Sequence, residues 1–343
     1  GAYKLTLVSE SITPWENDLV SHDATTKEYV VINSTKGHLK EAIAAANKDY
    51  TKIKNLKITG EISAQDFYFM RDSMENLAAL NLKEVIIRGG EQRLTGGAQG
   101  VYPHNDYEIP YEALRGKKSL NLLVLPDKLT KIGIAAFADD QNITGSLIIP
   151  EGVTEIEVGA FYDCRSMNGT LSLPSTLKYL GRGIDLWWYG GVFTYCGFTS
   201  ELILPNNLEC IAGNNTFAGC EGLHGELRFP EKLTEISDGA FNGCKSLTGS
   251  ITIPQGVHKL PTSVFQFCDN LNGTLTLPDG ITSIGYNCFQ GCALKGELKL
   301  PKNLTVIADE VFNGCDFSGE LVLPKTIRSI GKRAFANNWR LMG

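Results

Sequence analysis

Apolar residues recur along this chain in one long phrase. Leu227-Arg228-Phe229-Pro230, then Leu233, Ile236, Ala240-Phe241, Cys244, Leu247 and Gly249, is followed 24 residues on by its near copy. The copy runs Ile251-Thr252-Ile253-Pro254, Val257, Leu260, Val264-Phe265, Cys268, Leu271 and Gly273. The template is LxLPxxLxxIxxxAFxxCxxLxG. Two apolar residues about one outward residue give the period of a short strand. Pro then ends the strand, having no N–H for a ladder. The LxxI step carries the chain round the far side, Ala-Phe returns it inward, and Gly allows the bend into the next strand. One such unit cannot bury its apolar face alone, so units must stack. The pattern predicts a right-handed repeat solenoid of short parallel strands, with turns and short helices on the far side.

The register is firm from Leu123. Prolines fall at 126, 150, 174, 205, 230, 254, 278, 301 and 324, and phenylalanines at 137, 161, 193, 217, 241, 265, 289, 312 and 335. Intervals are 23–25 residues except where about eight are inserted, near 181–191. Residues 123–343 therefore read as nine regular repeats with one interruption. At about 4.8 Å per strand, nine repeats give a parallel ladder on the order of 45 Å long.

Before the register the phrase loosens. Residues 1–35 hold two strand-like stretches, Lys4 to Val8 and Tyr29 to Ile32, and no clear role. Residues 36–122 read as an N-terminal α/β capping region, since the end of a solenoid must cover an open core. A helix is expected from His38 to about Asn47, where Leu39, Ile43 and Ala46 share a face. Leu56 to Ile58 reads as a strand. A second helix follows Ser63, with Asp66 three residues on as in a capping box and Phe67, Met70, Met74 and Leu77 on one face. Leu80-Asn81-Leu82 and Val85-Ile86-Ile87 resume the strand rhythm. Residues 88–108, rich in glycine, read as an irregular surface loop, and Ala113-Leu114 as a degenerate Ala-Phe step.

Composition narrows the class further. The chain of 343 residues is 43% hydrophobic and 20% charged, with a net charge of −6. That balance gives no basic footprint for nucleic acid or an anionic membrane. No run of 18 apolar residues could span a bilayer. The first residue is Gly1 rather than Met, which suits a processed or trimmed chain.

These residues resemble the BspA-like, or TpLRR-type, leucine-rich repeat surface proteins. The repeats from about residue 110 carry the likeness, and the stretch LKITGEISAQDFYFMRD is similar to the N-terminal part common in such proteins. The family's usual repeat is 23 residues; here most are 24, with an added Gly before the strand. The resemblance implies a noncatalytic, secreted or cell-surface module, often a lipoprotein, that serves adhesion by binding a host or bacterial surface protein.

Seven of the nine cysteines hold one template position: Cys164, Cys196, Cys220, Cys244, Cys268, Cys292 and Cys315. Asp140 and Asn338 take it in the first and last repeats. In leucine-rich repeats this inward position satisfies backbone groups of the turn, so the expected structure is a ladder of buried free thiols. Neighbours about 5 Å apart fit a disulfide poorly. Cys210 falls where other repeats place Lys131, Glu155, Glu235 and Lys259, and is expected to be exposed. No ligand spacing suits a metal, no cofactor motif is present, and the histidines share no nucleophile or acid. Glu155 and Glu157 read as separate solvated positions.

Two surfaces remain as candidates. The outward residues beside the prolines include Glu201, Glu226, Arg228, Glu297 and Lys299, a small polar, faintly acidic face on the concave sheet. The insertion, between glycines expected to give it freedom, carries Arg182, Asp185, Trp187, Trp188 and Tyr189. Its rings either pack back on the solenoid or serve a ligand, a protein or a glycan. A structural spacer without a ligand is the third reading.

Overall fold

The computed structural model describes residues 27–93, 101–183 and 190–342. Its first element, β1 (Val30–Ser34), lies parallel to β2 (Asn55–Ile62), which pairs with both β3 (Ala79–Asn81) and β4 (Val85–Ile87). The strand Leu122–Val124 adds to β3, so Leu56, Leu80 and Leu123 stand in register. The cap is thus the first part of the same parallel stack. Its helices are α1 (Leu39–Ala45) and α2 (Ala64–Ser73). Helix α1 is shorter than the sequence suggests because Asn47 turns left-handed, with φ 53°, just past its end.

One carboxylate organises both helix starts. Asp66 Oδ1 accepts from the Leu39 N–H at 2.9 Å, and its Oδ2 accepts from Gly37 at 2.7 Å and Ser63 at 2.8 Å. These N–H groups have no partner within their own helices, and a negative charge suits the positive end of each. Lys117, itself buried, closes the opposite end of α2: its Nζ donates to the carbonyls of Met74 at 2.6 Å and Arg71 at 3.1 Å. Phe67, Met70, Met74 and Leu77 are fully buried, as their spacing predicts.

The glycine-rich stretch is more regular than expected. Gly90–Arg93 and Val101–His104 pair antiparallel, beginning with Gly90 opposite His104.

The repeats form a parallel β-solenoid with two rows of short strands rather than one. In the proline row, strands such as Leu147–Ile148 and Leu171–Ser172, or Ile251–Thr252 and Leu275–Thr276, pair in small groups. In the isoleucine row, at the LxxI step, Glu108–Ile109, Lys131–Ile132, Glu155–Glu157, Tyr179–Arg182, Cys210–Ile211 and Glu235–Ile236 make one continuous six-stranded parallel sheet. Lys259–Leu260, Ser283–Ile284, Val306–Ile307 and Ser329–Ile330 make a second sheet of four. The longer ladder therefore runs on the side the sequence reading assigned to plain chain reversal. Pro withdraws a donor in every proline-row coil, whereas in the isoleucine row it does so beside Ile109 and Leu260, and Pro261 falls where the two sheets part.

The expected far-side helices are absent from the described repeats; the Ala-Phe segments are turns. Alternate N–H groups there bond to the next coil, and those between them close turns within their own. Asn215, Phe217 and Gly219 donate to the carbonyls of Asp238, Ala240 and Asn242, each at 2.8 Å. A helix would need those donors for its own carbonyls. The residues two before and two after Phe take left-handed φ in nearly every coil, for example Asn215 (62°) and Gly219 (70°) about Phe217.

Inside, the rings of Phe137, Phe161, Phe193, Phe217, Phe241, Phe265, Phe289, Phe312 and Phe335 form an unbroken stack. Centroids are 5.2–5.7 Å apart. The insertion does not disturb it: Phe161 and Phe193 stack at 5.7 Å, and the Phe161 N–H reaches the Val192 carbonyl at 2.9 Å. The template resumes in register on the far side of the extra residues.

Candidate functional site

The insertion leaves the stack at Gly181 and rejoins it at Gly191. Both positions are fixed by contact with the next coil. A Cβ at Gly181 would lie 2.3 Å from the Gly213 nitrogen, and one at Gly191 would lie 2.3 Å from backbone atoms of Asn215 and Thr216. These glycines therefore serve close backbone approach rather than the freedom expected of them. Asp185, Trp187, Trp188 and Tyr189 lie outside the described residues.

Arg182 is the insertion residue that the structure describes. Its guanidinium carbon sits 3.6 Å from the centroid of the Tyr179 ring, and Tyr179 donates its hydroxyl to Glu209 at 3.1 Å. Tyr179, Cys210 and Glu235 are register partners on three successive strands. The Cys210 thiol donates to Glu235 Oε2 at 2.9 Å and faces Arg182 on its other flank. Burial first, then the Glu235 carboxylate, pushes this thiol up to about 12; Arg182 opposes both.

Cys210 is therefore buried, at 1% exposure, and not the surface thiol its position suggested. The template argument compared it with Lys and Glu, whose long stems lie on the sheet while their heads reach water. A side chain as short as Cys, at the same place, ends beneath its neighbours.

Glu157 is a second correction. It is 2% exposed, not solvated: its carboxylate meets Lys131 Nζ at 2.7 Å and accepts from the Ile134 N–H at 3.1 Å. Glu155, one of its strand neighbours, is 3.6 Å from the same lysine. Ion pairing and backbone bonding together make a buried carboxylate tenable.

Beside this network lies a groove of about 820 Å³, lined by Val158, Tyr162, Gly181, Arg182, Tyr195, Gly213, Asn214, Gly219, Glu235 and Asn242, among others. Tyr195 is half exposed and meets Tyr162 edge-on, their centroids 6.3 Å apart. Neither tyrosine stood out in the sequence. Tyr195 occupies the position two past Phe, which most coils fill with Gly, Asp or Asn, and that substitution was the available signal.

On the proline row the outward residues point to solvent. Glu201, Glu226, Arg228, Glu297 and Lys299 are all exposed. Arg228 pairs with Glu226 at 2.7 Å and Lys299 with Glu297 at 3.4 Å, each within its own coil. Exposed pairs of this kind are worth about 0–1 kcal/mol, so they neutralise the face more than they stabilise it. Ile203 and Val322, at 68% and 67% exposure, add apolar points to the row.

The seven template thiols point inward. Each donates to the carbonyl of the Phe one coil back: Cys164 to Phe137, Cys196 to Phe161, Cys220 to Phe193, and so on to Cys315 and Phe289, at 2.9–3.2 Å. All nine cysteines are free and buried. Among the described residues, no group of three or more His, Cys, Asp or Glu side chains could hold a metal ion, and no helix is long and apolar enough to cross a membrane.

The family model of the BspA type leucine rich repeat region matches in six copies, over residues 107–184, 189–315 and 249–342. Together these spans cover well over half of the chain. The chain belongs to the BspA-type leucine-rich repeat family. Its BspA-type coils are similar to those of several solved structures. The T. pallidum Leucine Rich Repeat protein is 28% identical over 54% of this chain and 69% of its own, with a TM-score of 0.36. A leucine rich cell surface protein of Faecalibacterium prausnitzii is 21% identical over 92% of this chain and 77% of its own, with a TM-score of 0.47. A leucine-rich repeat protein of Bacteroides ovatus is 21% identical over 91% and 86%, with a TM-score of 0.43. No curated protein matches the sequence.

Proposed function

We propose that this BspA-type chain is a noncatalytic, extracellular binding module that meets a partner protein at a bacterial cell surface through the outward face of its proline row. One observation carries the reading. The recurring words of the repeat template are taken up by stacking, whereas the outward proline-row residues from Glu201 to Val322 are mostly exposed and differ from coil to coil. Glu201 with Ile203 and Glu320 with Val322 join a charge to an apolar point, and between them Glu226 with Arg228 and Glu297 with Lys299 pair opposite charges. Such a row offers a protein face both apolar and polar contacts.

The test is a binding assay against extracellular-matrix proteins and whole bacterial cells. An Ile203→Glu/Val322→Glu double variant leaves the core untouched and should weaken capture at least about tenfold. Equal capture by wild type and variant would remove the proline row from the function. No capture by wild type would favour a spacer.

A further inference from the structure

The groove beside the insertion shares no residue with the proline row, and it has its own chemistry. Its wall is the ring of Tyr195. One face of that ring is pressed onto the next coil: a Cβ on Gly219 would fall 2.5 Å from Tyr195 Cδ1. Tyr195 is nonetheless 50% exposed, with the Arg165 guanidinium over the ring at 5.9 Å and Tyr162 edge-on at 6.3 Å. Tyr195 holds this pose at φ 61°, a left-handed conformation that a bulky side chain rarely adopts. Asp139, Asp163, Gly219 and Gly243 fill the same place in neighbouring coils at less strain. Phe267 holds the same place three coils on, at φ 59° and 48% exposure, but does not line the groove.

The rim supplies paired polar groups. Arg182 offers a planar fork of donors, Asn214 and Asn242 each an amide with donor and acceptor, and Glu235 a carboxylate. Arg165, 5.9 Å from the centroid of the Tyr195 ring, is ion-paired with Asp163. Both signs of charge are present, so the groove does not select an ion. Its volume of about 820 Å³ lies within the range typical of small-ligand clefts.

We infer that this groove binds a neutral sugar unit of a glycan, packed against the exposed part of the Tyr195 ring and held at its hydroxyls by Arg182, Asn214, Asn242 and Glu235. A pyranose has one flat apolar C–H face and a rim of vicinal hydroxyls. The first matches an aromatic ring; the second matches side chains that offer donor and acceptor together. A peptide would call for a strand edge or an apolar pocket, and the groove floor is glycine backbone already bonded between coils.

Isothermal titration of the whole chain with neutral gluco-, xylo- and manno-oligosaccharides at millimolar concentration tests the site. At least one class should bind. Tyr195→Asn removes the ring and keeps a residue suited to left-handed φ, and should weaken binding at least about tenfold. Phe267→Asn alters the same template position three coils on and should leave affinity unchanged. Thermal melting confirms that both variants fold. The proposal fails if no sugar binds, if Tyr195→Asn binds as wild type does, or if both variants lose affinity equally. Binding of peptides without sugars would also overturn it and assign the groove to a protein. None of these outcomes bears on the proline row.

Discussion

The thiol of Cys244 donates to the carbonyl of Phe217, one coil back, at 3.1 Å. The same bond repeats down the solenoid, and at the last repeat Asn338 Nδ2 takes over, reaching the Phe312 carbonyl at 2.7 Å. The substitution explains the chemistry of the position. The Phe217 carbonyl, turned into the core, already accepts from the Cys220 N–H at 3.1 Å, and its second acceptor site is filled by a small thiol, as that of Phe312 in the last repeat is by an amide. Asn338 also donates to the Phe335 carbonyl of its own coil at 3.1 Å.

If hydrogen bonding is what the position requires, Cys244→Ala should cost about 0.5–1.5 kcal/mol, because it removes one of two donors to the Phe217 carbonyl, which still accepts from the Cys220 N–H at 3.1 Å. Cys244→Ser keeps a donor and should cost less. Urea midpoints of the two variants decide the matter. Equal losses would mean that the thiol acts only as a small apolar filler.

Burial also sets the alkaline limit of the fold. Cys210, Cys220 and Cys315 are each pushed up to about 12 from the ordinary 9.0, chiefly by desolvation. The folded chain thus holds these protons to higher pH than the unfolded chain does. Their contribution to stability is complete below pH 9.0 and is lost as pH rises toward about 12. Urea midpoints should be level up to about pH 8 and fall steadily from about pH 9. Glu235→Gln removes a negative charge beside Cys210, lowers that thiol's pKa, and should speed its alkylation at alkaline pH relative to wild type.

The repeat phrase made the stack, the buried Phe and the inward thiol position legible, since each follows from a residue type recurring at fixed spacing. Three things were not legible. The isoleucine row became the longer ladder because hydrogen bonding between coils, not apolar alternation, selects it. Cys210 and Glu157 went under because burial depends on the height of neighbouring side chains and on ion pairing, which a template does not encode. The groove was missed because Tyr195 shares the left-handed conformation of its counterparts, such as Asp163 at φ 60° and Gly219 at φ 70°, and only its ring in place of a small or polar residue marks it.

The Phe stack should show an end effect. Phe241 is fully buried between Phe217 at 5.4 Å and Phe265 at 5.6 Å, with Phe229 edge-on at 5.7 Å. Phe241→Ala should cost about 3–5 kcal/mol by lost burial and the cavity left behind. Phe335 stacks on Phe312 at 5.6 Å and is only partly buried. Phe335→Ala should cost about 1–2 kcal/mol. Equal losses measured by urea denaturation would refute a core that fades toward this end.

The left-handed position two before Phe offers a paired test. Gly239 and Ser263 hold it in adjacent coils, with φ of 62° and 57°. Glycine adopts that conformation without penalty, whereas an L-residue with a Cβ costs about 1–2 kcal/mol there. Ser263→Gly should relieve this, and the extra chain entropy of glycine when unfolded takes back about 0.5–1 kcal/mol. The net expectation is a gain of about 0.5–1 kcal/mol. Gly239→Ser reverses the argument and adds a clash, because a Cβ there would lie 2.1 Å from Asn215 Oδ1. It should therefore lose more than its mirror gains. Thermal melting of the two variants reads both signs, and a stabilised Gly239→Ser would sink the claim that backbone conformation governs this position.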